Sequence, residues 1–194
     1  MNYEIERKIL NNLSLTKEEV NIFLNFVCTS IRKEVGIEDP MDTNCKECFD
    51  TSIMFGRLIL SRFGCDVEIL NIKKELEIPL THYANLISLN VNGNKKTYLV
   101  DMTYSQFFDT TITLDDIEGV PGIVVTTDKT FEKIKEVEFI KNLRQNGFIE
   151  LNDIILKKYI DLFLDICKVN NKEKAYKNIQ KLLLNNNFNV KIKQ

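Results

Sequence analysis

Apolar residues recur at helical spacing early in the chain, where Val20, Phe23, Val27 and Ile31 form one stripe behind Thr16-Lys17-Glu18-Glu19. That tetrapeptide is a capping box, in which the Thr hydroxyl and the Glu carboxylate each satisfy a backbone amide of the other's residue. The spacing predicts a helix from Thr16 to near Gly36. A loop follows at Glu38-Asp39-Pro40-Met41-Asp42-Thr43, because a residue before proline is biased away from helix. A second helix is expected from Thr43 or Asn44 to Phe63, with Gly64 at the position that favours a left-handed stop. Residues 67–72 then alternate as a strand does. Residues 82–91 and 97–101 read as two strands joined at Asn92-Gly93, a dipeptide suited to a two-residue hairpin turn. Val120-Pro121-Gly122 is an expected turn, with a short strand at 123–125. Beyond it the pattern becomes helical at 129–145 (closed by Gly147), 153–168 and 173–185. The fold class is therefore α+β: a mixed core over 1–127 and a helical extension over 128–194 within the same globule.

Composition narrows the function classes. The chain has 194 residues, 26 Lys+Arg against 28 Asp+Glu, and a formal net charge of −2. That is one ordinary domain. Near-neutral charge without a basic block excludes a nucleic-acid binder that works by neutralising phosphates. The longest apolar runs, such as Leu182-Leu183-Leu184, are too short to cross a membrane. Charges at Glu4, Glu6, Arg7 and Lys8 stand where a signal peptide needs apolar residues. The expectation is a soluble, cytoplasmic protein, with export by a route lacking a signal peptide left open. Five cysteines, at 28, 45, 48, 65 and 167, are an odd number without a secretory signal, so free thiols are expected. A single histidine excludes any mechanism that needs two.

The chemistry-bearing stretch is Asn44-Cys45-Lys46-Glu47-Cys48, followed by His82 and then Asp101. A thiol is a good nucleophile at neutral pH only where its thiolate is favoured. The amides and positive dipole end of a helix N-terminus do that, as does a nearby imidazolium. Cys45 and Cys48 both fall near the start of the second helix, and the same amides suit the oxyanion of a tetrahedral intermediate. An imidazole would move the proton, and a carboxylate would hold its tautomer. With an even-length turn at Asn92-Gly93, residue 82 pairs with residue 103. Asp101 then lies on the same sheet face as His82, one diagonal step away and within side-chain reach. An odd-length turn would put the two on opposite faces.

The order Cys, His, Asp resembles the papain-fold and transglutaminase-like superfamily of thiol enzymes. There a Cys opens a helix that ends in Gly, a His begins the next strand and an Asp closes the one after it. Here the matching residues are Cys48, Gly64 sixteen positions on, His82 and Val100-Asp101-Met102-Thr103, within residues 44–107. Tyr104-Ser105-Gln106-Phe107 and Gly147-Phe148-Ile149-Glu150-Leu151 are similar to compact bacterial papain-fold proteins, some glutamine deamidases and others peptidases. The chain departs from the pattern in having no Trp, and in carrying Asp42 where papain-like enzymes place a Gln as oxyanion donor. Asn44 and Gln106 are the candidate replacements. The resemblance implies a core of N-terminal helices on an antiparallel sheet, with catalytic residues Cys48, His82 and Asp101.

Plainer readings stand beside this one. Cys28, Cys65 and Cys167 are best taken as small apolar residues. Cys45 and Cys48 could be half a metal site or ordinary thiols, though the chain has no second C-x-x-C or H-x-x-H. Cys48 fits the spacing to Gly64 and has the small Ser52 one turn on. Cys45 lies nearer the helix start if Asn44 caps it, which keeps Cys45 as an alternative nucleophile. His82 alone is equally a structural histidine, and Asp101 could cap the turn after Val100. The Lys-rich final helices, with Lys157-Lys158 and the stretch from Lys168 to Lys181, read as solvated faces. The leading expectation is a cysteine-dependent acyl-transfer enzyme acting on an amide, either a protein glutamine side chain or a peptide bond. It would need no cofactor or metal, and its partner would be a protein or peptide substrate. The alternatives are a papain-like peptidase and a non-catalytic binding or regulatory domain of the same fold.

Overall fold

The computed structural model describes residues 2–41, 47–72, 81–108 and 138–166. The expected turn at Val120-Pro121-Gly122, the strand at 123–125, the helix at 173–185 and residues 129–137 lie outside them. Five helices are described: α1 Tyr3–Leu10, α2 Lys17–Glu34, α3 Cys48–Leu58, α4 Glu138–Asn146 and α5 Asp153–Ile166. A π-helical turn, Ile59–Phe63, continues α3, and a 3-10 turn covers Tyr104–Phe108. The strands β1 Val67–Asn71, β2 Tyr83–Val91, β3 Asn94–Val100 and β4 Phe148–Glu150 form one antiparallel sheet in the order β1-β2-β3-β4.

Local chemistry accounts for most of the boundaries. The capping box is formed: Thr16 Oγ1 accepts from Glu19 N at 3.1 Å, and Glu19 Oε2 accepts from Thr16 N at 2.7 Å. Asn92 and Gly93 carry φ of 49° and 78°, the paired positive values of a two-residue I′ turn. The turn is therefore of even length, and the register runs from Val91↔Asn94 to Asn85↔Val100. Gly64 ends the α3 rod at φ 62°, as the left-handed stop requires.

Three elements differ from the sequence reading. The helix expected from Thr43 or Asn44 begins at Cys48, with Glu47 at its cap and no side-chain capping bond. Glu47 is thus outside the helix rather than one turn into it, and residues 42–46 lie outside the described residues. The N-terminal α1 was not anticipated; Asn2 Oδ1 caps it by accepting from Glu4 N at 2.9 Å. The stretch after 127, expected to be only helical, also supplies β4, which pairs with β3 through Leu99↔Ile149 and Val100↔Phe148. Three residues carry too short an alternation to register against the helices on either side.

The core lies between α1, α2 and α3 and one face of the sheet. Val20, Phe23, Leu24, Val27 and Ile31 of α2 meet Phe55, Ile59 and Phe63, and on the sheet Ile87, Leu89, Tyr98 and Val100. The opposite face is buried as well, through Ala84, Leu86 and Leu99. Covered on both faces, the central strand β2 is buried at seven of its nine positions, Asn85 and Ser88 among them. Arg32, near the end of α2, fastens that helix to the turn after β3 and to α4. It donates to the carbonyls of Met102, Arg144 and Gln145, closing the C-terminus of α4 and holding the turn after β3. Among the described residues no helix is long and apolar enough to cross a membrane.

Gly147 sits inside this fastening. Its φ is +81°, and a Cβ there would come within 3.1 Å of Arg32 Nη2 and Met102 Cγ. Gly36 has the same φ with open space around it. Gly147→Ala is therefore expected to destabilise the fold by more than the ~1–2 kcal/mol that the backbone conformation alone costs, whereas Gly36→Ala stays within it. The urea midpoints of the two variants, measured side by side, check this ordering.

Candidate active site

Cys48 is the first residue of α3. Thr51 N is the first amide paired within the helix, donating to Glu47 O at 2.9 Å. The amides of Cys48, Phe49 and Asp50 are thus the ones that a helix leaves without internal partners, and they carry its positive dipole end. The Thr51 hydroxyl also donates to Glu47 O at 2.8 Å, which anchors this first turn in the absence of a side-chain cap.

His82 immediately precedes β2, and its carbonyl accepts from Ile72 N at 2.8 Å, so its backbone is held against the end of β1. Asp101 immediately follows β3, and its amide donates to Gly147 O at 2.9 Å. The even-length turn places both side chains on one sheet face, where His82 Nε2 donates to Asp101 Oδ2 at 2.8 Å with both side chains fully buried. Tyr159, on α5, donates its hydroxyl to the same Oδ2 at 2.8 Å. Thr103 N donates to Oδ1 at 3.3 Å. Tyr159 packs at 5.3 Å from the ring of Tyr104. Burial first, then the charge of Asp101, hold the Tyr159 hydroxyl well above its usual pKa, so it is a neutral donor throughout the ordinary pH range.

With Nε2 committed to Asp101, Nδ1 is the nitrogen left for Cys48 and for Gln106, whose Nε2 lies 2.9 Å from it. Burial pushes the Cys48 thiol up. The hydrogen bond and charge of His82, with the backbone N–H of Tyr83, outweigh that push, and the thiol sits below its ordinary 9.0 despite opposition from Asp101. For His82, burial disfavours the charge, but the Asp101 carboxylate and its hydrogen bond, then Cys48, lift the ring to about 9. Thiolate and imidazolium thus stabilise one another. The other described cysteines have no such neighbour: burial raises Cys28 to about 12 and Cys65 to about 11.

Cys48, His82 and Asp101 are therefore brought together. Gln106 joins them, with its Nε2 on the imidazole at 2.9 Å. Asn44 and Cys45 lie outside the described residues. Tyr159 is the site residue that the sequence reading missed. It stands 58 positions beyond Asp101 on a helix whose apolar pattern does not distinguish it from a core tyrosine. Arg144 ties the surroundings together. Its Nε donates to Ser105 Oγ at 3.1 Å and its Nη2 to Met41 O at 3.2 Å, while Ser105 Oγ donates to Pro40 O at 2.7 Å. The turn carrying Gln106 is thereby bound to the segment that leads toward Cys48.

Among the described residues no group of three His, Cys, Asp or Glu side chains is placed to hold a metal ion. A concavity of about 460 Å³ lined by Leu13, Cys65, Asn90 and Gly93 contains none of the site residues. Asn90 and His82 are eight positions apart along β2, or roughly 26 Å of strand. No protein-family model, curated protein or solved structure matches the chain.

The thiols should separate in reactivity. Iodoacetamide at pH 6 to 7 is expected to modify Cys48 ahead of Cys28 and Cys65, as mapped by mass spectrometry. In His82→Ala the Cys48 thiol loses its main lowering influence, so burial and the Asp101 charge should carry its pKa above the ordinary value, and its rate at pH 6 should fall roughly tenfold or more. Uniformly slow thiols with no response to His82 would contradict a paired thiolate.

Proposed function

We propose that the chain is a cysteine-dependent acyl-transfer enzyme acting on an amide, with protein glutamine side chains as the leading substrate class and peptide bonds as the alternative. The carrying observation is the Cys48–His82–Asp101 arrangement, in which a lowered thiol faces an imidazole raised to about 9 and held by a buried carboxylate. The resemblance to papain-fold and transglutaminase-like thiol enzymes supports the same reading. The reading names a protein or peptide as partner and involves no cofactor.

In this mechanism the Cys48 thiolate attacks the amide carbon and forms the C–S bond. The oxyanion so made falls near the α3 amides. The C–N bond breaks as His82 passes its Nδ1 proton to the departing nitrogen, which leaves as ammonia or as an amine. Water then attacks the thioester, gives its proton back to His82, and releases the carboxylic acid and the thiolate. Asp101 accepts from Nε2 throughout, which keeps Nδ1 as the working nitrogen and stabilises the positive ring. Tyr159 and the Thr103 amide satisfy the carboxylate, which cannot then turn away from the imidazole.

The distinguishing experiment incubates the protein with glutamine-rich and unstructured proteins, reading ammonia release and new N-termini in parallel. Ammonia alone identifies side-chain deamidation, and new N-termini identify a peptidase. Cys48→Ser is expected to reduce either activity by roughly 10³-fold or more. The dependence of kcat/KM on pH should be bell-shaped. The acid limb falls where Cys48 takes up a proton, below the ordinary thiol range. The alkaline limb falls near about 9, where His82 loses the proton that the leaving nitrogen needs.

A further inference from the structure

One contact in the site has no part in the mechanism above. Gln106 Nε2 stands 2.9 Å from His82 Nδ1, the nitrogen that must alternately hold and release a proton. An amide N–H suits that position only while Nδ1 is bare. Once Nδ1 carries hydrogen, two donors face each other, and for the fully buried His82 ring an unmade hydrogen bond costs about 1–3 kcal/mol.

We propose that Gln106 is a positioning residue whose carboxamide turns over with the protonation of His82, giving its N–H to bare Nδ1 and its carbonyl oxygen to Nδ1–H. The inference rests on the reading of His82 as the proton carrier, and its geometry needs no substrate. Nitrogen and oxygen of a carboxamide are nearly the same size, so a half-turn exchanges them in place. The terminal torsion of glutamine is broad and roughly two-fold, which makes that half-turn the soft motion available. The backbone beneath it is held. Gln106 N donates to Thr103 O at 3.0 Å, and the adjoining Ser105 is bonded to Pro40 and Arg144. The rest of the turn thus stays still while the amide rotates. Glutamate in the same place only accepts, and methionine of the same length offers no comparable donor or acceptor. Glutamine alone of the three serves both states of the ring.

Among the described residues, the titratable groups acting on the ring are Cys48 from α3 and Asp101 from the end of β3. Tyr159 of α5 acts through Asp101, with Tyr104 of the 3-10 turn packed on Tyr159. A carbonyl accepting from a charged ring makes a stronger bond than an N–H given to a neutral one. On balance Gln106 therefore favours the protonated ring.

His82 is the only histidine of the chain, so its ring nitrogens are assigned without ambiguity by long-range ¹H–¹⁵N NMR of the labelled protein. Gln106→Met is expected to lower the midpoint by about one unit, a tenfold loss of proton affinity, and Gln106→Glu to raise it above that of the unaltered protein. Gln106→Ala, which removes the amide with least crowding, should move it in the same direction as Gln106→Met. Midpoints unchanged by Met and Ala, or shifted the same way by Glu and Met, would overturn the inference, since packing alone does not reverse sign with charge. Repeating the series in Cys48→Ala separates the two readings. Opposite shifts that persist there, in a protein whose wild-type Cys48 alkylates like an ordinary thiol, would uphold the role of Gln106 while refuting acyl transfer. Loss of the shifts alongside a reactive wild-type Cys48 would refute the role of Gln106 alone.

Discussion

The contact between His82 and Asp101 is the constraint around which the described structure is arranged. Two polar side chains are withdrawn entirely from water, and such groups are tolerated only when their hydrogen bonds are met inside the protein. Meeting them recruits distant parts of the chain. β2 and β3 must pair in one register, α5 must bring Tyr159 to Oδ2, and the turn after β3 must offer the Thr103 amide to Oδ1. Arg32 then holds the Met102 carbonyl in that same turn and joins it to the end of α4. A site built this way resists distortion, because displacing any contributor leaves a buried polar group unpaired.

Cys48 shows how a position acquires reactivity from its neighbours rather than from its residue type. Burial acts on Cys28, Cys48 and Cys65 in the same sense, disfavouring the thiolate. At Cys48 alone, an imidazole held positive by Asp101 and a donated backbone N–H reverse the outcome. Cys48 also opens α3, at the positive end of the helix dipole. A helix end and the ends of two strands meet there, where backbone donors and side chains converge without having to break secondary structure.

Much of this was legible along the chain, for identifiable reasons. The Thr16–Glu19 box, the Asn92-Gly93 turn and the stop at Gly64 are short-range devices whose geometry follows from a few adjacent residues. Because the turn has two residues, the parity of the hairpin follows, and with it the placement of His82 and Asp101 on one face. The start of α3 was read too early, since Thr43 and Asn44 are good caps by residue type while Glu47 supplies no capping bond at the start that forms. β4 was missed because an edge strand of three residues is selected by the strand it joins.

What the sequence by itself determined is the local frame: where the two main helices and the hairpin run, which face each strand presents, and that one Cys, one His and one Asp fall at element ends. These are consequences of spacing and turn chemistry within a dozen or so residues. Tertiary structure alone decided which groups complete the site. Tyr159 reaches Asp101 across 58 positions, Gln106 lands on Nδ1 across 24, and Arg32 spans some 70 positions to Met102 and 112 to Arg144. Such contacts leave no periodic trace, because a side chain is recruited to a buried polar atom by being within reach in space, whatever its place along the chain.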